Sequence, residues 1–294
     1  ARANYSFSPS QRSFSALGQR TDAVFSASAA GTALNPLDTT EYFVRQQYVD
    51  FLGREPDEAG LNFWANNIES CETDANCRAA KRIDTSAAFF LSIEFQQTGY
   101  LVYRTYQAAY GAMPGAPVPL KLSEFKPDTA EIGKDVVVNK LDWQMVLENN
   151  TRAYMAEFVQ RPRFTAAYPA TLPPGEFVDK LFANAGVKTA DADRALAIAD
   201  FGSAATSSDP AARGRALRRV ADNAVLSQQE LNRAFVLMQY FGYLRRDANA
   251  GRDADFSGYN FWLGKLNTFN GNFRDAEMVK AFLLSSEYRG RFPR

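Results

Sequence analysis

Residues 51–64 read FLGREPDEAGLNFW, an apolar run closed by Gly53 and Arg54, a knot of acids around Pro56, and then Trp64. On one reading Glu55 and Asp57 are paired catalytic carboxylates beside an aromatic platform. On the other they mark the corner where one helix stops and the next begins. Paired-carboxylate hydrolysis also needs a cleft and a raised pKa, whereas a corner needs only a capping acid ahead of a helical pattern.

Self-similarity favours the corner. FVRQQYVDFLGR at 43–54 matches FVLMQYFGYLRR at 235–246, GLNFW at 60–64 matches GYNFW at 258–262, and FFLSIEF at 89–95 matches FLLSSEY at 282–288. Weaker copies lie between. LVYRTYQAAYG at 101–111 repeats the hook, with Trp143 in the Trp position and FVQRPRF at 158–164 as its tail, and FVDKLFANAG at 177–186 opens a fourth unit with ALRRVADNAVL at 216–226 as a degenerate tail. The hooks start at Phe43, Leu101, Phe177 and Phe235, spaced 58, 76 and 58 residues apart. The reading is an all-α fold of four imperfect helical repeat units arranged as two pairs, 37–170 and 171–294, behind a short extended or β leader at 1–36. The longer middle step comes from a Pro-rich insertion at 112–127, expected as an ordered surface loop and contact surface.

Each hook has helical spacing. Val44, Tyr48, Phe51 and Leu52 fall at i, i+4, i+7 and i+8, as do Val236, Tyr240, Tyr243 and Leu244, so both predict core-facing helices. Asp38 with Glu41, and Ser227 with Glu230, have capping-box spacing ahead of the two hooks. Asp57 and Asp255 stand where a carboxylate accepts a backbone N–H in the first turn of the Trp-bearing helix. Arg54 and Arg246 suit the negative end of the preceding helix and reach toward the acids. Gly60 and Gly258 complete the structural corner with Trp64 and Trp262. The later corner, DANAGRDADFSG, also reads as the start of a calcium loop, with Asp253, Asp255 and Ser257 as ligands and Asp247 as an extra one; its closing position is Gly264 rather than an acid.

Composition limits the other chemistry. The 294 residues include no His, which removes Ser-His-Asp and Cys-His nucleophile pairs and most transition-metal sites. Lys plus Arg equals Asp plus Glu at 33 each, so the broad field that draws a protein to nucleic acid is absent. The apolar run AFVLMQYFGYL at 234–244 is about half the roughly 20 residues a membrane span needs. The sequence begins at Ala1, which fits processing from something longer. Cys71 and Cys77, in the polar stretch CETDANC, are expected as a disulfide in an exported protein; free thiols are the alternative, and a zinc site lacks ligands. Trp64, Trp143 and Trp262 offer either core packing or a sugar platform. RGRALRR at 213–219 is either a solvated helix face beside Asp209 and Asp222 or a grip for an acidic polymer.

Hooks of the form FVRQxYxDFLGREPDxxGLxFW with tails like FFxSxEF resemble a bacterial domain-of-unknown-function family, number 4214, common in exported multi-repeat proteins and distantly similar to phycobilisome linker domains. The resemblance covers roughly residues 37–294 and departs in the middle units, where GRxPD is missing after Gly111 and Gly186. It implies an all-helical fold and an extracellular or cell-surface location, and no activity. Residues 1–36, with Tyr5, Phe7 and Phe14 among small polar residues, resemble the last strands of an immunoglobulin-like domain, which would pair with a neighbour's sheet and make assembly contacts; a Ser/Ala-rich linker is the alternative. The expectation is a non-enzymatic structural module without cofactor that assembles with copies of itself or with upstream domains into a filament or surface layer. A calcium-assisted binder of envelope polysaccharide is the alternative.

Overall fold

The computed structural model describes residues 35–188, 191–251 and 255–292. Every regular element among them is a helix, and no helix there is long and apolar enough to cross a membrane. The leader residues Tyr5, Phe7 and Phe14 lie outside the described residues, as does the strand expectation that rests on them.

A short 3-10 turn, Pro36–Asp38, leads into α1 (Thr40–Gln47), which ends in a π-helical turn at Tyr48–Leu52. Val44, Tyr48 and Phe51 are buried, as the hook spacing predicts. Gly53 then takes a left-handed φ of 67°, a conformation that costs a Cβ-bearing residue energy, and the chain turns out of the helix. α2 (Glu58–Glu69), α3 (Ala75–Leu91) and α4 (Ile93–Gln97) follow. The Cys71–Cys77 disulfide closes the α2–α3 turn with a Cα–Cα distance of 5.6 Å.

α5 (Gly99–Tyr110) is the centre of the molecule: ten of its twelve residues are buried. A helix buried all round has no polar face, and this one hides even its Arg104, which lies over the Tyr100 ring. α6 (Leu122–Gly133), α7 (Trp143–Phe158) and α8 (Pro162–Ala167) come next. They are followed by α9 (Pro174–Ala185), α10 (Asp191–Ala199) and α11 (Pro210–Ala221). α12 (Ala224–Gln239) also ends in a π-helical turn, Tyr240–Leu244, with Arg245 left-handed at φ 55° where the first hook has Gly53. α13 (Ser257–Thr268), α14 (Met278–Leu284) and α15 (Ser286–Arg289) complete the fold.

The first and last hooks meet in the core. Phe90 stacks on Phe235 at 4.4 Å, Phe51 meets Tyr243 edge-on at 5.1 Å, and the Tyr243 hydroxyl donates to Gln47 Oε1 at 2.9 Å. The second and third hooks meet likewise: Asn184 Nδ2 donates to Ala109 O at 2.7 Å, and Gln107 Nε2 to Asn184 O at 3.2 Å.

Four local expectations are corrected. Neither capping box forms. Thr39, not Asp38, precedes α1, and Asp38 instead pairs with Arg289 at 2.9 Å. Asn223 caps α12 with its side chain, so Ser227 lies inside the helix, and Glu230 is drawn into the core to accept the Tyr103 hydroxyl at 2.7 Å. The insertion is no mere surface loop: Val118 and Leu120 are buried and residues from Leu122 onward form α6. In consequence Trp143 opens α7, one helix later than the Trp position it was matched to. Within RGRALRR, Arg213 is buried over the Phe177 ring and donates to Pro169 O at 2.9 Å, because three carbonyl and hydroxyl oxygens there replace water; Arg215 and Arg219 face solvent, and Arg218 is half-buried against Glu148.

Candidate functional site

The acid-and-Trp stretches fold as two matching corners. In the first, Asp57 Oδ1 accepts the Gly60 N–H at 2.9 Å and caps α2. In the second, Asp255 Oδ1 accepts the N–H of Ser257, the first residue of α13, at 2.9 Å, but Phe256 holds the N-cap position, so Asp255 stands one residue ahead of the cap that the spacing predicts for it. Such a bond satisfies a donor that the helix itself leaves unpaired. Gly60 is required by close approach: a Cβ there would stand 2.2 Å from the Tyr48 hydroxyl oxygen. Burial, and then the Asp57 charge, push the Tyr48 hydroxyl above its ordinary pKa.

Each corner arginine is held by a tail acid. Arg54 Nε and Nη2 donate to the two oxygens of Glu94, both at 2.7 Å, and Arg54 reaches Asp57 only at 3.9 Å. Arg246 binds both oxygens of Glu287 at 2.6 and 3.1 Å. The guanidinium lies over Tyr48 at 5.0 Å in one corner and over Tyr240 at 5.3 Å in the other. Bidentate pairing of this kind fixes orientation as well as contributing energy. Glu94 and Glu287 occupy the same place in the matched tails, yet sequence reasoning assigned them no partner.

The tryptophans repeat as well. Trp64 packs against Phe89 at 5.8 Å and Trp262 against Phe282 at 5.9 Å, and both are half-buried on the core. The Phe before each one turns outward: Phe63 is 65% exposed and Phe261 60%.

The remaining acids are engaged in ways suited to structure. Glu55 is exposed and bound by Arg45 at 2.6 and 2.5 Å. Glu55 and Asp57 do border one hollow of about 620 Å³ between the corner and α6, but their described partners are a guanidinium and a helix start. Asp57 borders that hollow and a second one beside Trp64, and Asp255 borders neither. Of the calcium ligands read from the sequence, Asp247 Oδ1 accepts the Leu122 N–H at 2.7 Å and Asp255 is at its helix start, while Asp253 lies outside the described residues. Among the described residues no group of three or more His, Cys, Asp or Glu is placed to hold a metal.

One further cluster had no signal in the sequence. Asp50, whose side chain is fully buried, accepts from Gln46 Nε2 at 2.8 Å, Arg245 at 2.8 Å and Arg291 at 2.9 Å, tying the first hook to the last and to the C-terminal turn. Its counterpart in the last hook is Gly242, where a Cβ would come 3.2 Å from the Phe51 ring. The two facing positions are therefore an acid and a glycine, and no motif comparison of one hook with the other links them.

No curated protein and no solved structure matches the chain. Residues 24–99, which carry the first corner from its hook helix to the end of its tail, match the model of the family described as a domain of unknown function, DUF4214.

Proposed function

We propose that the chain is a non-catalytic, exported structural module, built of four imperfect helical units, that assembles through contacts with other protein chains. The carrying observation is the duplicated corner. In both copies the acid accepts a backbone N–H from the first turn of the Trp-bearing helix, the arginine is clamped by a tail glutamate, and the Phe before the Trp is turned out to solvent. A corner that spends its charged groups internally while presenting an apolar ring suits contact better than chemistry. Large apolar side chains left in water mark interaction sites when they cluster.

The four hooks are read as nested: first against fourth, and second against third, on the strength of the Phe51–Tyr243 and Asn184–Ala109 contacts. The Cys71–Cys77 disulfide supports an oxidising compartment, because such bonds persist mainly in exported proteins. Sedimentation velocity over a hundredfold range of concentration tests the assembly reading. Oligomers that grow with concentration are expected, and a single monomeric species throughout the range overturns it.

A further inference from the structure

We infer that a groove along α11 binds an anionic amphiphile, a small molecule with one acidic head and a hydrocarbon chain. The groove shares no lining residue with either corner, so its use does not depend on assembly. It measures about 970 Å³ and follows one face of α11, where Ala211, Arg215, Arg218 and the capping Asp222 line it at helical spacing. Over that stretch the helix rises about 16 Å. To the same groove α7 contributes Met155, α10 Leu196 and α12 Val225. Leu196 and Val225 are two of the ten large apolar side chains that the described residues leave exposed, and buried Phe182 and Met155 line the groove with them. Apolar groups gathered in a concave site with a few polar ones suit a small ligand, and the volume lies within the range of roughly 300–1,000 Å³ typical of such sites.

Charge selects the head group. Four arginines and three acids line the groove, and none of the arginines has a carboxylate to itself. Arg152 and Arg218 share Glu148, Arg218 and Arg104 share Asp222, and Arg215 and Arg219 share Asp200. Five guanidiniums thus hold three carboxylates, and pairing alone leaves positive charge over. Asp193, held by the neutral Asn223 amide at 3.0 Å, offsets part of it and leaves a surplus of one. A ligand with a single negative charge matches that surplus in sign and number. Arg215 and Arg219 lie one turn apart on α11, about half exposed, over an Asp200 side chain that is nearly buried. The Nη1 of each has no hydrogen-bond acceptor among the described residues. These two donors receive the head, and the chain lies over Leu196, Val225 and the buried rings and thioether beside them.

The test titrates the full chain with sodium dodecanoate, below the concentration at which it forms micelles, by isothermal titration calorimetry. One dodecanoate should bind per chain, at least roughly tenfold more tightly than dodecyltrimethylammonium, a cation with the same chain. Hexanoate, with half the chain, should bind at least roughly thirty-fold more weakly than dodecanoate. Leu196→Asp, at an exposed position, should weaken dodecanoate at least roughly tenfold. Leu141→Asp, which alters an exposed leucine outside the groove, should leave it unchanged. Arg219→Gln keeps Arg215 on Asp200 and should narrow the gap between anion and cation. Each variant is first checked for wild-type melting. Equal binding of anion and cation would overturn the head assignment, and Leu196→Asp binding like the wild type, or Leu141→Asp losing as much, would overturn the groove. A wild type that binds no dodecanoate would overturn the inference and leave the assembly reading in place.

Discussion

Substituting Asp50 with Ala should be among the most damaging single changes in the protein. The carboxylate is fully buried and receives Arg245, Arg291 and Gln46 at 2.8–2.9 Å. Removing one member of a buried charged cluster typically costs about 3–5 kcal/mol, much of it from the charges left unpaired. Here the lower end applies. Arg245 and Arg291 are 27% and 24% exposed, and each keeps backbone acceptors: Val49 O for Arg245, and Gly242 O and Tyr243 O for Arg291.

A loss of about 3 kcal/mol is therefore expected, equivalent to a fall of roughly 6–12 °C in melting temperature for a domain of this size. Urea unfolding followed by tryptophan fluorescence measures it, with Glu287→Ala as comparison. Glu287 also binds an arginine through both oxygens but is 41% exposed, so its removal should cost about 1 kcal/mol or less. If Asp50→Ala lost less than about 1 kcal/mol, or no more than Glu287→Ala, the reasoning that burial rather than ion-pair geometry sets the value would be refuted.

Two further outcomes follow from the same geometry. Gly60→Ala places a methyl group 2.2 Å from the Tyr48 hydroxyl oxygen, while Gly264→Ala meets nothing within 4 Å. The first should destabilise by about 1–3 kcal/mol and the second stabilise by about 0.5–1 kcal/mol, a difference in sign that thermal melting of the two variants would check. Bonds from Arg78 and then Thr40 hold the Glu69 carboxyl down to about 2, against an ordinary value of 4.5. Its folded form therefore sheds its proton more readily than its unfolded form, so the stability it contributes is complete above about pH 5 and is lost as the pH falls toward 2. Glu69→Gln should flatten that part of the stability curve, by less than about 1 kcal/mol because the pair is exposed; a wild-type and a variant curve of identical slope between pH 5 and 2 would contradict it.

The corners were legible because their residues act locally. Asp57 and Gly60 are three residues apart, and a cap or a close glycine can be read from such spacing when a second copy repeats it. What failed was decided by distant partners. Ser227 and Glu230 have the spacing of a capping box, but Asn223 already closes that helix, and Glu230 belongs to Tyr103 on α5. The Pro-rich insertion looks like a loop by composition, yet Val118 and Leu120 are taken into the core. Arg213 shares a basic run with Arg215 and Arg219, which face solvent, and goes inside because Ser207 and Pro169 supply oxygens from elsewhere in the chain.

The meeting of the first and last hooks shows the limit of reading by repetition. A comparison of copies rewards identity, and Tyr48 with Tyr240, or Arg54 with Arg246, stand out for that reason. Two copies packed face to face, however, must differ wherever identical groups would collide. Asp50 faces Gly242, which leaves room for Phe51, and Gly53 is answered by Arg245, which accepts a left-handed backbone and points its charge at Asp50. Several of the mismatches between the two hooks are thus residues that hold them together. Restoring the symmetry should be harmful even though each change copies a residue from the matching hook: Gly242→Asp would bring a second carboxylate toward the Asp50 backbone, with its Cβ 3.5 Å from that carbonyl oxygen and 3.2 Å from the Phe51 ring.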